Sequence, residues 1–469
     1  MTTGARWTAG AGVEDIFREP VLPVRRRFRG FSPAQLIVVS FAVAIAVGTV
    51  LLRLPIAHAA SDKIGWLEAL FTATSAVCVT GLVVVDTGAD FSPFGQAVIA
   101  LLIQAGGLGI LTLGALLALL TGRRLGFRER LRLQTQLNTL HVGGVVLLIR
   151  RMLIVVLAIE LLGAVVMFPR FAAAEGWGPG VWQAAFHSIS AFNNAGFSLY
   201  GDSLVRYAGD PIINFTVMTL VVVGGLGFVV VVNLIARYRQ TRRTPLSLHT
   251  KLALTATAAL IGGATVILLV VEWTNPQTLG ALPWPTRIMA GLFQAVTPRT
   301  AGFNTLDYAA MRESSLIVTM LLMFIGGNPG STAGGIKTIT FVILIGSAVT
   351  LSRGRGELNL FQRRIPIDTA VRSGVIVLMS LLFVALGLTL LSFTDAQRGM
   401  LRVAFETFSA FGTVGLSMGI TPELSVPGKL VVIGLMFVGR LGPLTMALAL
   451  VEGPPQKHIE YPPEDVVVG

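Results

Sequence analysis

Charge is scarce in this chain, and so is the chemistry that depends on cysteine or histidine. Of 469 residues only 13% are charged while 53% are hydrophobic, with a mean hydropathy of +0.76. A soluble globular protein does not carry that much apolar surface on so few charges, so a polytopic membrane protein is expected. The single cysteine, Cys78, excludes an intrachain disulfide and any CxxC metal site. His58, His141, His187, His249 and His458 are scattered with no HExxH or paired spacing, which argues against a catalytic zinc. There is no GxxxxGK[ST] and no GxGxxG after a strand, so regulation must come from a separate subunit or from voltage. No nucleophile–base pair stands out, and no enzyme is expected. No sizeable soluble domain is present to support a receptor or scaffold. The lead-in to the first apolar run, with "RRRFR" at 25–29, is long and polar, so no cleavable leader is expected.

The net charge of +12 raises the question of nucleic acid, but its distribution answers against it. Basic residues cluster in short loops: Arg123, Arg124, Arg128, Arg130 and Arg132; Arg237, Arg239, Arg242, Arg243 and Lys251; Arg353, Arg355, Arg363 and Arg364. These alternate with acidic loops holding Asp62, Glu68, Asp86 and Asp90, or Glu175, Asp202 and Asp210. By the positive-inside rule the basic loops and both termini are expected in the cytoplasm, in a protein of the plasma membrane. The charge sets topology and leaves membrane lipid, not nucleic acid, as the surrounding partner.

Apolar runs of spanning length fall near 36–52, 96–120, 146–168, 211–236, 250–273, 370–393 and 428–450, with an interrupted eighth near 314–350. Between the members of each pair lies a shorter apolar stretch suited to a re-entrant helix. These stretches read "ALFTATSAVCVTGL" (69–82), "AAFHSISAFNNAGF" (184–197), "GLFQAVTPRTAGF" (291–303) and "VAFETFSAFGTVGL" (403–416). Phe71 leads to Gly81, Phe186 to Gly196, Phe293 to Gly302 and Phe405 to Gly415, ten residues apart in three repeats and nine in the third. A second landmark follows each: "QAGGLGI", "VVGGLGF", "FIGGNPG" and "FVGRLGP". Four copies in register define a repeat of outward helix, pore helix, returning strand and inward helix. The expected fold is an all-α integral membrane protein: eight transmembrane helices and four re-entrant pore helices around one pore. The expected boundaries are a cytoplasmic segment at 1–30, repeats at 31–122, 123–239, 240–355 and 356–452, and a tail at 453–469. All four repeats point the same way, which excludes an inverted-repeat transporter plan.

A dehydrated cation needs oxygen ligands at fixed distance, and rings of backbone carbonyls backed by pore-helix C-termini supply them. Glycine suits such a ring because its carbonyl can turn inward at dihedrals a side chain resists. The expected filter is Val79, Thr80 and Gly81; Asn194, Ala195 and Gly196; Thr300, Ala301 and Gly302; and Thr413, Val414 and Gly415. Potassium would sit at their carbonyls, with sodium the alternative cargo because one glycine per segment allows few stacked layers. The competing reading is four ordinary glycine turns, and the shared register speaks against it. Asn193 and Asn194 could offer side-chain oxygens to the ion or brace the loop.

In the third repeat, "FIGGNPGSTAGGIK" (324–337) interrupts what should be helix. Gly326, Gly327, Gly330, Gly334 and Gly335 with Pro329 cannot hold a continuous helix, while Asn328, Ser331 and Thr332 can satisfy the freed backbone. By repeat position the break lies just inside the filter. Where two repeats have GGLG the fourth has GRLG, placing Arg440 in the inner-pore wall, where an ionisable residue is expensive. It is expected to take part in a gate, with a helix–helix salt bridge as the alternative. Lys337 either ends the loop or snorkels. Arg299 is expected behind the filter, paired with a carboxylate such as Glu406 or Glu68. His187 and Cys78 are expected to be packing residues.

The repeat plan, "TPRTAGFNT" (297–305), "GGNPGSTAGGIKT" (326–338) and "LSLHTKL" (246–252) resemble the Trk/Ktr/HKT superfamily of potassium uptake proteins, most nearly the KtrB type. The resemblance runs from about residue 30 to "YPPEDVVVG" at the end, and the chain lacks room for the two extra leading helices of Trk-type relatives. It implies potassium uptake through a single-glycine filter, and an intramembrane loop at 326–337 that obstructs the pore and moves to gate it. It also implies a cytoplasmic KtrA-type ring of RCK domains that binds ATP or ADP and docks on the basic loops. A homodimer of complete pores, joined at the C-terminal tail, follows from the same resemblance.

Overall fold

Each repeat opens with a helix long and apolar enough to cross a bilayer: α1 (Pro33–Arg53), α4 (Val145–Glu175), α8 (Leu248–Glu272) and α12 (Ile367–Thr394). Only 17–28% of their spanning windows is buried, so these helices form the outer wall with apolar side chains facing away from the core. The computed structural model describes residues 33–59, 64–109, 145–239, 246–354 and 357–450. The expected segment 1–30, the loop arginines 123–132, Arg242, Arg243, Arg355 and the tail 453–469 lie outside these.

The second element of each repeat is a short helix: α2 (Trp66–Val77), α5 (Trp177–Phe192), α9 (Trp284–Val296) and α13 (Met400–Gly412). At 12 to 16 residues they are too short to span. Three of them begin on an exposed tryptophan, Trp66, Trp177 and Trp284, a residue suited to the headgroup level. The landmark phenylalanines Phe71, Phe186, Phe293 and Phe405 are at most 2% exposed. They anchor the four short helices in the core.

The third elements are α3 (Pro93–Leu108), α6 (Pro211–Leu226), α10 (Glu313–Phe324) and α14 (Val426–Leu441). Ser92, Asp210 and Ser425 cap three of them through side-chain oxygens, each followed by proline in the first turn. These helices pack backbone to backbone against the ends of the short helices. A β-carbon on Gly106, Gly224 or Gly439 would meet Val77 O, Phe192 O or Phe411 O at 1.9–2.0 Å.

Contrary to expectation, the runs 211–236 and 428–450 are not continuous spans. The chain turns by 100° at Gly227 between α6 and α7 (Phe228–Arg239), and Gly442 separates α14 from α15 (Pro443–Leu450). Gly109, Gly227 and Gly442 have φ of 83°, 91° and 85° with extended ψ, a region that ends a helix and is closed to other residues. In the first repeat the helix stops at Leu108, and the rest of the expected run lies outside the described residues. The long break between α10 and α11 (Thr338–Ser352) enlarges a break at the same register in its sister repeats. A hairpin of β1 (Leu358–Leu360) and β2 (Arg363–Ile365), pairing Leu358 with Ile365, joins the third repeat to the fourth.

Candidate functional site

After each short helix the chain makes the same two-step reversal. Val79, Asn194, Thr300 and Thr413 all have positive φ, 50° to 69°, and two residues later Gly81, Gly196, Gly302 and Gly415 have φ of 69° to 93°. The four glycines meet in a closed cycle. A β-carbon on Gly81 would lie 2.4 Å from Ala195 O, one on Gly196 2.9 Å from Ala301 O, one on Gly302 2.3 Å from Val414 O, and one on Gly415 2.2 Å from Thr80 O. Each glycine therefore abuts the carbonyl before the glycine of the next repeat, and the fourth returns to the first. No side chain fits at any of the four places.

Two layers of polar side chains hold this ring from behind. Ser75 Oγ accepts from Gly81 N (3.0 Å) and Ser409 Oγ accepts from Gly415 N (3.1 Å). Ser190 Oγ donates to Phe197 O (2.8 Å) and Thr297 Oγ1 to Phe303 O (2.5 Å). Further along, His187 Nε2 bonds Ser198 Oγ (3.0 Å), Gln294 bonds Tyr308 Oη (2.6 Å), and Glu406 accepts from Ser417 Oγ (2.8 Å) and from Thr421 Oγ1. The returning strands are fixed by these bonds before any ion is considered.

On one side, all four glycines line a single cavity of about 770 Å³. Its walls carry Asp86, Asp90, Asp202 and Asp307. Asp202 bonds Arg206 at 2.9 Å and raises its pKa, and the Arg206 guanidinium lies 4.2 Å over the Tyr200 ring. A mouth with this excess of carboxylates concentrates cations.

On the other side sits the 326–337 segment. Its neck is closed: Ile325 and Ile336 pair in parallel, Gly326 N donates to Ile336 O (2.8 Å), and Thr338 N donates to Gly327 O (2.9 Å). The body of the loop reaches the second repeat, where Asn328 N donates to Gly225 O (2.9 Å) and Thr332 Oγ1 to Phe192 O (3.3 Å). It also reaches the fourth, where a β-carbon on Gly334 would fall 2.0 Å from Thr413 Oγ1. Arg440 donates from Nη1 to Thr332 O and from Nη2 to Gly106 O, so one guanidinium ties the loop to the first repeat. The loop thus contacts the residues just inside the ring.

Residues 16–461 match the family model TrkH, described as a cation transport protein. The chain belongs to the TrkH family of cation transport proteins. It is 44% identical over 439 residues to the Ktr system potassium uptake protein B of Bacillus subtilis, covering 94% of this chain and 97% of that one. It is 38% identical to the potassium/sodium uptake protein NtpJ of Enterococcus hirae, over 95% and 98% of the two chains. The crystal structure of the potassium transporter TrkH from Vibrio parahaemolyticus superposes with a TM-score of 0.69 at 19% identity, over 91% of this chain and 86% of that one. The match shows a shared fold. As a TrkH-family member the chain is a transporter and not an enzyme.

Within this TrkH fold, the expected ring residues from Val79 to Gly415 come together, and so do Arg440 and the loop. Lys337 Nζ donates to Ala333 O (2.6 Å), closing the loop's inner end. Asn193 braces: its Nδ2 donates to Gln104 Oε1 (2.8 Å) and Glu160 Oε1 (3.0 Å). The Asn194 amide bonds Thr300 Oγ1 (3.3 Å), linking two ring segments. His187 packs against the rings of both Phe171 and Tyr200, which also touch each other, and Cys78 is fully buried.

Arg299 requires a correction. Among the described residues it pairs with no carboxylate: Nη2 donates to Thr338 Oγ1 (3.1 Å). Glu406 accepts from Ser417 and Thr421 instead, and Glu68 faces Lys429 at 3.6 Å. Sequence reasoning also passed over Ser75, Ser190, Thr297 and Ser409. Their shared register, five or six residues before each ring glycine, is the signal that would have found them.

Proposed function

We propose that the protein takes up potassium across the plasma membrane, with the carbonyls around Gly81, Gly196, Gly302 and Gly415 as its ion filter. The observation that carries this reading is the closed cycle of four glycine–carbonyl contacts at the floor of one acidic cavity. Carbonyl oxygens replace the lost hydration shell, and the short helices point their negative ends toward the same place. The names of the relatives, potassium uptake proteins among them, support potassium as cargo.

The 326–337 loop acts as the gate, with Arg440 as its latch. Gly326, Gly327, Asn328, Pro329, Gly330, Ser331, Thr332, Gly334, Gly335 and Lys337 form its neck and body. A cytoplasmic partner with RCK domains that bind ATP or ADP sets the gate, as the word "system" in the relatives' names fits. The functional unit is a homodimer with cytoplasmic termini, built from four pore repeats per chain. A second reading, a sodium-permeable or sodium-coupled monovalent cation transporter of the same fold, is favoured by the single glycine per segment and by the potassium/sodium relative. Purified protein in lipid vesicles decides: potassium uptake that exceeds sodium uptake supports the first reading, and equal uptake supports the second.

A further inference from the structure

Glu160 lies midway along α4, inside the membrane-length apolar run, and is 5% exposed. Among the described residues it has no ion-pair partner. A carboxylate at such depth is costly and needs a reason. Its oxygens point at two amides: Oε1 accepts from Asn193 Nδ2 (3.0 Å) and Oε2 from Gln104 Nε2 (3.3 Å). Gln104 Oε1 in turn accepts from Asn193 Nδ2 (2.8 Å), closing a triangle across the seam between the first and second repeats. The backbone carbonyl of Glu160 also accepts from Ser188 Oγ on α5 (2.5 Å).

The pattern has a polarity. Both partners present N–H groups to Glu160, so both of its oxygens must be acceptors, which a carboxylate satisfies and a carboxamide does not. Asn193 closes α5 and immediately precedes Asn194, Ala195 and Gly196. Gln104 lies two residues before Gly106, whose carbonyl binds Arg440, and the Asn193 side chain packs on Gly107.

We infer that Glu160 is a positioning residue for the second segment of the ring, holding it through Asn193 and so setting the preference for potassium. This rests on the filter reading above. The test exchanges the two side chains. In Glu160→Gln the new NH₂ faces Gln104 Nε2, donor against donor. In Gln104→Glu two carboxylates face each other. In the double variant Gln104→Glu/Glu160→Gln the carboxylate changes sides while every bond keeps a donor and an acceptor.

Potassium and sodium uptake are measured on purified protein in vesicles. The single variants are expected to raise the half-saturating potassium concentration and lower the potassium preference several-fold, with a smaller change in maximal rate. The double variant is expected to restore both. Unchanged preference in a folded Glu160→Gln, or a folded double variant that stays unselective, overturns the inference. Where the singles fail to fold, the double variant alone decides on the same criterion. Gly196→Ser is run alongside: if it alters preference while Glu160→Gln does not, the filter reading stands and this inference fails.

Discussion

Replacing Arg440 with alanine removes a side chain that joins the loop to the first repeat. A hydrogen bond from a charged group contributes about 1.5–3 kcal/mol net. Losing the bond to Thr332 O should therefore shift the loop's open population by roughly 10- to 150-fold, at about 1.4 kcal/mol per tenfold. The shift is bounded because the bonds from Asn328 to Gly225 O (2.9 Å) and from Thr332 Oγ1 to Phe192 O (3.3 Å) remain. A second effect has the same sign. Repulsion between the guanidinium and a cation about 6 Å away is near 3 kcal/mol at an effective dielectric of about 20. Potassium flux in vesicles should rise, and the potassium-to-sodium ratio should hold, because the ring is untouched. Arg440→Lys separates the two effects: it keeps the charge but not the planar fork that reaches two carbonyls. Lower flux from Arg440→Ala at normal folded yield would refute the latch and leave a purely structural tie.

Gly334→Ala is a milder opening. Its methyl group would meet Thr413 Oγ1 at 2.0 Å, so the loop must back away, and resting flux should rise without loss of folded protein. An unchanged resting flux would mean that the loop does not obstruct the path. Deleting Gly330 to Gly334 should leave α11 in place, since the neck bonds at Gly326, Gly327 and Ile336 lie outside the deleted stretch. Flux should increase and depend less on any cytoplasmic regulator; reduced flux at normal yield would count against gating.

Much of this architecture was legible because four imperfect copies share a register. A phenylalanine, a glycine at nearly constant spacing and a second glycine motif locate the short helices and the ring without reference to packing. The breaks at Gly227 and Gly442 were not legible. A glycine within an apolar run reads equally well as helix or as helix end, and only its φ distinguishes the two. The partner of Arg299 was misjudged because charge pairing alone favours a carboxylate. Glu406 is claimed by two hydroxyls and Glu68 by Lys429, leaving the guanidinium to Thr338. Glu160 disappeared in the hydropathy average of 146–168, although a lone carboxylate in a span is itself a signal. Ser75 and its counterparts were too common a residue type to notice singly.

The central claim is that the four glycines form one selectivity ring, and serine at each position in turn tests it most directly. Every site has positive φ and a carbonyl within 2.9 Å of where a β-carbon would stand. Each of Gly81→Ser, Gly196→Ser, Gly302→Ser and Gly415→Ser should therefore distort the same ring. Potassium and sodium uptake would be measured for all four, on folded protein in vesicles. The account expects every variant to lose potassium preference, whichever repeat is altered. Four folded variants with the potassium preference and affinity of the unaltered protein would contradict it.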